Sequence, residues 1–502
     1  MALPDWARQD AGDEKFSARG NAVASGISYN LVAAVFQILG SLVSILIMSR
    51  LLSADDFGIY GMIMPFVTIL LMIADGGTIY YTLRLKEVRD ETLSFAFWYT
   101  IAIGAALVLA LWAAAPAIAW LMSEQRLIAV ALVMAVAVFF GATGSQHTAL
   151  ITRCFRNDLR ALAIVGSVTG SLILAIGLAW AGFGYWALVG LLSARVILNT
   201  IFSALLTGWR PRRVPWDRAQ MTEIARLGNA EVVSRILISG VRETDRILIG
   251  ILFPASIAGY YSLAYMLSIM PLLQLLTPLI FVILPFISEQ KDDAEVFFAS
   301  VRIMLRSFVF VIWSWCVFAA LFAEELLSIF VGAELLPAAE IFPILVISAM
   351  LTITITFASL PFQAIDRPDI TRRLNFQMLY IFAVTLGIAA WIGTPQAVAL
   401  AVVSGNLVAF LIRLVVLYRH FSRPIAAEIA GLLPVIGFAF VAPVLIWCGN
   451  VALPELEAGM HPILHMAIVF LAFAAIHILV GAKFFGDDLR RIIHRKSKQK
   501  PE

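Results

Sequence analysis

Charge is scarce in this chain. Of 502 residues only 14% are Asp, Glu, Lys or Arg, and the formal net charge is +3. That balance is too small to suggest a nucleic-acid partner. Cysteine is nearly absent. Cys154, Cys316 and Cys448 show no paired spacing and read as buried apolar side chains, not as a disulfide framework or a metal site. No Gly-rich phosphate loop and no Walker sequence occurs, which argues against ATP coupling within the chain, and no cofactor is expected. The first 20 residues are polar and hold no apolar stretch with a cleavage site, so no signal peptide is predicted. No connecting segment is large enough for a separate folded domain.

What the chain has in abundance is apolar surface: 61% hydrophobic residues and a mean hydropathy of +0.92. This predicts an all-α polytopic membrane protein. Windows of about 20 apolar residues suffice to cross the hydrocarbon core, and fourteen are expected: 28–49, 57–82, 94–117, 127–150, 161–181, 184–206, 229–250, 256–286, 306–323, 339–361, 375–393, 397–417, 428–448 and 463–483. Lys and Arg concentrate in alternate connections, at 84–89, 153–160, 210–218, 291–302, 367–373 and 419–423, and in the tail after 484. The opposite connections hold only Arg50 and Arg126. The bias predicts that both termini are cytoplasmic and that the number of spans is even. The basic tail is expected to touch anionic lipid.

One window breaks the pattern. Residues 229–250 carry Glu231, Arg235, Arg242, Glu243, Asp245 and Arg246. Each would cost roughly 2.5–3.5 kcal/mol at a lipid-facing bilayer centre, against about −0.5 for an Ile or Leu. Either the segment lies on the cytoplasmic surface, or it spans while facing a polar interior. The basic loops around 210–218 and 367–373 require an even number of spans between them. Three are unambiguous, so the charged segment is read as the fourth. Arg235, Arg242 and Arg246 stand at i, i+7 and i+11, which on a helix places them within roughly 40° of one another.

Residues 52–62 and 253–263 align at an offset of 201, both in the turn between the first two spans of a six-span block. Six is even, so the blocks share one orientation and are expected to be parallel repeats. The expected organisation is a cytoplasmic segment 1–27, an N-lobe 28–206, a linker 207–228, a C-lobe 229–417, two further spans within 418–483, and a basic cytoplasmic tail 484–502.

The run Ser49-Arg50-Leu51-Leu52-Ser53-Ala54-Asp55-Asp56-Phe57-Gly58-Ile59-Tyr60 resembles the first outer turn of the bacterial polysaccharide transporter family, the Wzx-type flippases of lipid-linked oligosaccharides. Asp75-Gly76-Gly77 resembles the Asp-x-Gly that closes their second span. Asp245-Arg246-Ile247-Leu248-Ile249-Gly250, followed by Ala258-Gly259-Tyr260-Tyr261-Ser262-Leu263-Ala264, is similar to their seventh-to-eighth span signature. The resemblance covers most of the chain through its span pattern. It implies the multidrug/oligosaccharidyl-lipid/polysaccharide exporter fold, with two six-helix lobes around a cavity and alternating access. It also implies a polyprenyl-pyrophosphate-linked oligosaccharide as substrate, the bacterial inner membrane as location, and polysaccharide polymerase and export machinery as partners.

Against that background the arginine stripe has two readings. Arginine offers a planar fork that takes phosphate bidentately, so Arg235, Arg242 and Arg246 suit the pyrophosphate or acidic sugars of such a substrate. Alternatively they pair with Glu231, Glu243 and Asp245 and lock helices together. Arg195 in the sixth span is a cavity candidate that could instead snorkel or bind Asp75. Asn30 and Gln37 share one face of the first span, lining the cavity or bonding a neighbouring helix. Asp75, Glu231, Glu243 and Asp245 are candidates for ion or proton coupling or for helix pairing. His147, His465 and His477 read as packed hydrogen-bonding residues. Asp55-Asp56 has an acidic-pair look shared with membrane glycosyltransferases. The small outer loops argue against an enzyme, and the position before a helix start favours capping. A cation-coupled antiporter of the same superfamily would be expected to carry a carboxylate deep in the first span, and 28–49 has none. A peptidoglycan lipid-precursor flippase would be a close relative.

Overall fold

The structure, a computed structural model, describes residues 16–85, 89–421, 424–452 and 461–498. It is 88% helical, and no strand occurs among the described residues. That is the outcome required when backbone amides have no water to bind.

The helices are α1 (Phe16–Leu51), α2 (Ala54–Ile73), α3 (Thr78–Arg84), α4 (Asp90–Leu121), α5 (Arg126–Arg153), α6 (Asn157–Trp180), α7 (Trp186–Thr207), α8 (Arg218–Leu252), α9 (Ala255–Ser268), α10 (Met270–Ser288), α11 (Ala294–Phe308), α12 (Ser314–Leu321), α13 (Ala323–Phe330), α14 (Phe342–Ala364), α15 (Pro368–Ile392), α16 (Pro395–His420), α17 (Ile425–Ala452) and α18 (Pro462–Lys498). A π-helical turn, Val309–Trp313, joins α11 to α12. Among the described residues, thirteen helical segments are long and apolar enough to cross a membrane. They correspond one for one to the expected windows, except the charged one. That window is the 35-residue helix α8, roughly 52 Å long at 1.5 Å per residue but too charged to qualify on composition.

Two details depart from expectation and one adds to it. The single span expected at 256–286 is two helices, α9 and α10, with Pro271 in the first turn of α10. A proline there needs no amide partner, so a fresh helix starts where a continuous one would be interrupted. The expected tail after 484 continues as helix to Lys498. Of the cysteines only Cys316 is buried; Cys448 is exposed, on the side of α17 that also exposes Val444 and Leu445, where a membrane-facing thiol behaves as one more apolar group.

By contact the chain divides into two compact units. Unit 1 is Met1–Leu267 with Ala390–Val398, and unit 2 is Ser268–Ala389 with Ala399–Glu502. Helix α8 and nearly all of α9 thus group with the N-terminal six spans.

Within unit 1 the connections gather at two ends. At one end, Arg126 bonds Asp55 at 2.6 Å and the Tyr185 amide donates to Asp56 Oδ1 at 2.8 Å. At the other, basic end, Trp209 Nε1 donates to Asp90 at 2.8 Å, Arg212 bonds Asp90 at 2.8 Å, and Arg153 donates to the Leu85 carbonyl at 2.6 Å. Helix α8 runs from the second end to the first. Its N-cap Asp217 accepts from the Ala219 amide at 2.8 Å, Gly228 lies against Gly77, and Gly250 lies against Met62 and Met122. The charged helix therefore traverses the bundle beside α2, as the loop parity requires.

Small residues set the spacing. The closest approach is between α2 and α9, where Gly58 packs on the Ala255 carbonyl and Gly259 packs on the Ala54 carbonyl. Under the offset of 201, Ala54 aligns with Ala255 and Gly58 with Gly259. The two copies of the repeated motif therefore meet reciprocally, each glycine on the other's alanine.

Unit 2 is built more from aromatic packing. Phe318, Phe322, Met466, Val469 and Phe473 form one buried cluster, and Phe308 stacks on Phe357 at 4.1 Å. Arg413 is only 2% exposed. It donates to Asn375 Oδ1 at 2.7 Å and Ser359 Oγ at 3.3 Å.

Candidate functional site: an arginine-lined cavity in unit 1

The site starts from a break in a helix. Gly76 and Gly77 adopt φ of 56° and 78°, left-handed values that other residues reach only under strain. They end α2 and restart the chain as α3. Asp75 sits at the break, 5% exposed. Its carboxylate accepts from the Ile79 amide at 3.4 Å, and its carbonyl accepts from Thr78 Oγ1 at 2.7 Å.

The same glycines admit α8. A Cβ on Gly228 would stand 2.9 Å from Gly77 Cα, closer than a side chain tolerates. The glycine pair therefore lets the two backbones touch. One further helical stretch along α8, Arg235 reaches the break. It donates to Asp75 Oδ1 at 3.0 Å and to the Met72 carbonyl at 3.3 Å.

This pair lies on the wall of a cavity of about 480 Å³, bounded by residues of α1, α2, α3, α5, α6, α7 and α8. Four residues expected from the sequence line it together: Gln37, Asp75, Arg195 and Arg235. Arg195 is half-buried, and its Nε has no hydrogen-bond partner. Thr148, Asn199 and Thr200 add polar groups to the wall. Asn199 was legible in principle, since it follows Arg195 by four residues and shares its helix face. The lining holds two guanidinium groups and one carboxylate, a surplus of one positive charge. Such a lining suits a ligand with an anionic group and several hydroxyls.

The rest of the stripe does something else. Arg246 is buried, bonds Glu243 one turn earlier, and lies 4.2 Å over the Tyr265 ring. Asp245 is buried too; Tyr261 donates to its Oδ2 at 2.6 Å, and its Oδ1 has no partner. Arg242 is half-buried, and among the described residues no carboxylate pairs with it. One geometric stripe therefore meets two environments, a polar cavity at Arg235 and a packed helix contact at Arg246. The side chains of Asn30 and Glu231 lie outside the described residues, although both positions are on helices, α1 and α8.

The acidic pair in the first turn is structural. Ser53 caps α2, and its amide donates to Asp56 Oδ2 at 3.0 Å while its Oγ accepts from the Asp56 amide at 3.3 Å. This is a capping box, with Asp56 rather than Glu at the third position. Asp55 is bonded to Arg126. In the neighbouring turn, hydrogen bonds from Arg126 hold the Glu124 carboxyl below the usual carboxylate range. His147 bonds Thr207 at 2.9 Å against Trp209, and His477 bonds the Phe473 carbonyl at 2.8 Å; His465 is buried. Among the described residues no group of three or more His, Cys, Asp or Glu is arranged to hold a metal.

Comparison with known proteins places this architecture. Residues 47–340 match the polysaccharide biosynthesis protein family. The chain is similar to the succinoglycan biosynthesis transport protein ExoT of Rhizobium meliloti (strain 1021), 25% identical over 257 residues, 50% of this chain and 51% of that protein. It is similar to the teichuronic acid biosynthesis protein TuaB of Bacillus subtilis (strain 168), 21% identical over 343 residues, 66% and 68% of the two chains. The lipopolysaccharide biosynthesis protein WzxC of Escherichia coli (strain K12) is 20% identical over 283 residues, 54% and 55%. These matches span from about half to two thirds of the relatives' lengths. In fold, the chain superimposes on the lipid II flippase MurJ in an inward closed conformation with a TM-score of 0.74. The identity is 13%, over 91% of this chain and 99% of that one. An inward-facing MATE transporter of the MOP superfamily gives 0.61 at 16% identity, over 79% and 98%. The chain is a multi-pass membrane protein that belongs to the polysaccharide biosynthesis protein family.

Proposed function

We propose that the protein is a transporter, not an enzyme, that moves polyprenyl-pyrophosphate-linked oligosaccharides across the bacterial inner membrane for surface polysaccharide synthesis. Both termini are cytoplasmic in this reading. The observation that carries it is the cavity in which Arg195 and Arg235 face one another's space within an apolar bundle. A pyrophosphate head is prohibitively costly in hydrocarbon, and guanidinium forks replace part of its hydration. The polyprenyl tail stays in lipid, the two six-helix lobes rock, and the head is released on the far side to the polymerase and export machinery. The relatives' roles in succinoglycan, teichuronic acid and lipopolysaccharide biosynthesis point the same way. The alternatives are weaker. Asp55 and Asp56, which a glycosyltransferase would need for chemistry, are committed to Arg126, Ser53 and Tyr185. The first span lacks the carboxylate of a cation-coupled antiporter.

Arg195 is the cleanest probe, because no carboxylate is left behind when it is removed. Arg195→Ala should lower polysaccharide export at least about tenfold, the scale of one charge-assisted contact of roughly 1.5–3 kcal/mol. Its amount in the membrane should not change. Arg195→Lys, which keeps the charge and loses the fork, should fall between. Export at the parental level from Arg195→Ala cells would remove the cavity from the mechanism.

A further inference from the structure

Arg235 does not wait for a ligand with an open hand: Asp75 already holds it at 3.0 Å. The carboxylate is buried, while the Arg235 side chain, which lines the cavity, retains 28% exposure. Asp75 is anchored from behind by the Ile79 amide at the glycine break. It therefore keeps a hydrogen-bond donor if Arg235 turns away. Across the cavity, the Arg195 Nε has no partner. The arrangement is an anion site with one of its two cations already neutralised by the protein itself.

We propose that Asp75 is a built-in counter-anion that competes with the substrate for Arg235. This rests on the cavity being the head-group site and specifies how that site selects and releases its ligand. A monovalent anion such as chloride gains little by entering, because it would have to displace a carboxylate of equal charge that is covalently tethered in place. A phosphate or pyrophosphate group can engage Arg195 first and then take Arg235 from Asp75, through two forks and more than one charge. The displaced carboxylate stays at the cavity wall and repels the bound anion. Binding is thereby kept weak enough for release, which a transporter needs and a storage site does not. The same exchange removes the ion pair between α8 and the break between α2 and α3, leaving the Gly77–Gly228 contact, so head-group binding and loosening of a helix contact are one event.

The experiment is titration calorimetry with inorganic pyrophosphate on the full-length protein in lipid nanodiscs. Wild type, Asp75→Asn and Arg195→Ala are compared in chloride and in gluconate at equal ionic strength. Asp75→Asn should bind pyrophosphate on the order of tenfold tighter than wild type, the scale expected when one competing charge is removed from a half-buried arginine. Chloride should weaken binding to Asp75→Asn and leave wild type unaffected. Export by Asp75→Asn should fall although its affinity rises, a combination that a merely structural role would not produce. Asp75→Ser, which also keeps an acceptor for the Ile79 amide, serves if the asparagine variant does not fold. Equal or weaker binding by the uncharged variants, with wild type binding normally, overturns the counter-anion and leaves the cavity reading standing. Binding undiminished in Arg195→Ala, or absent from every form, overturns both.

Discussion

Arg246→Ala should be the most damaging single truncation of the charged helix, and the damage should be to stability, not to substrate handling alone. Arg246 and Glu243 are both buried and bonded to each other. Removing one partner of a buried pair leaves the other as an uncompensated charge, which costs about 3–5 kcal/mol. Arg246 also covers the Tyr265 ring at 4.2 Å, worth a further 1–2 kcal/mol or so when desolvated. The expected result is a clear drop in the thermal midpoint of the purified protein and a smaller amount in the membrane. The double variant Glu243→Gln with Arg246→Met should recover most of the loss, because it removes both charges and keeps the volume. If Arg246→Ala melts like the parent protein yet fails to export, Arg246 serves the substrate and the pairing with Glu243 is incidental.

Gly58→Val and Gly259→Val should each abolish export. A Cβ at either position would collide with a backbone carbonyl of the facing helix, Ala255 for Gly58 and Ala54 for Gly259. A backbone oxygen cannot rotate away as a side chain can, so α2 and α9 must separate along their length. Overpacking of this kind costs typically 1–3 kcal/mol, here concentrated on the conformation in which the two helices touch. Gly177→Val is the control, since nothing lies within 4 Å of a Cβ there. It should export normally. Export by Gly58→Val equal to that of Gly177→Val would show that the close contact is dispensable.

Much of the fold was legible because hydropathy and loop charge act on long stretches. Thirteen apolar segments and the traverse of α8 follow from windows of about 20 residues and from the parity of basic loops. The split of 256–286 was less legible, since proline at the first turn of a helix and proline inside one look alike until the neighbouring residues are placed. The repeat at an offset of 201 was visible as an alignment. That the aligned residues touch one another is a matter of packing, which similarity between two segments cannot reveal.

The site was half legible for a related reason. Helical periodicity correctly puts Arg235, Arg242 and Arg246 on one stripe. Eleven residues of helix, however, cover roughly 16 Å, far enough to pass from one neighbourhood to another. Arg235 meets Asp75 at a glycine break; Arg246 meets Glu243 and Tyr265. Glu243, three residues before Arg246, was a signal for pairing available in the sequence itself. Asp75 as partner of Arg235, 160 residues away, required the Gly77–Gly228 contact, and no local pattern announces it.

The reciprocal meeting of Gly58 with Ala255 and of Gly259 with Ala54 has a consequence for what can regulate the protein. A closure made of backbone against backbone contains no group that titrates and no ion to be screened. Its strength comes from dispersion, which is short-ranged and falls away with a fraction of an ångström of separation. Acidity and salt therefore reach it only through its neighbour, the exposed Asp55–Arg126 pair beside Ala54. Lateral pressure from the surrounding lipid acts on the contact itself, so it should respond to bilayer composition while the Asp75–Arg235 end responds to anions.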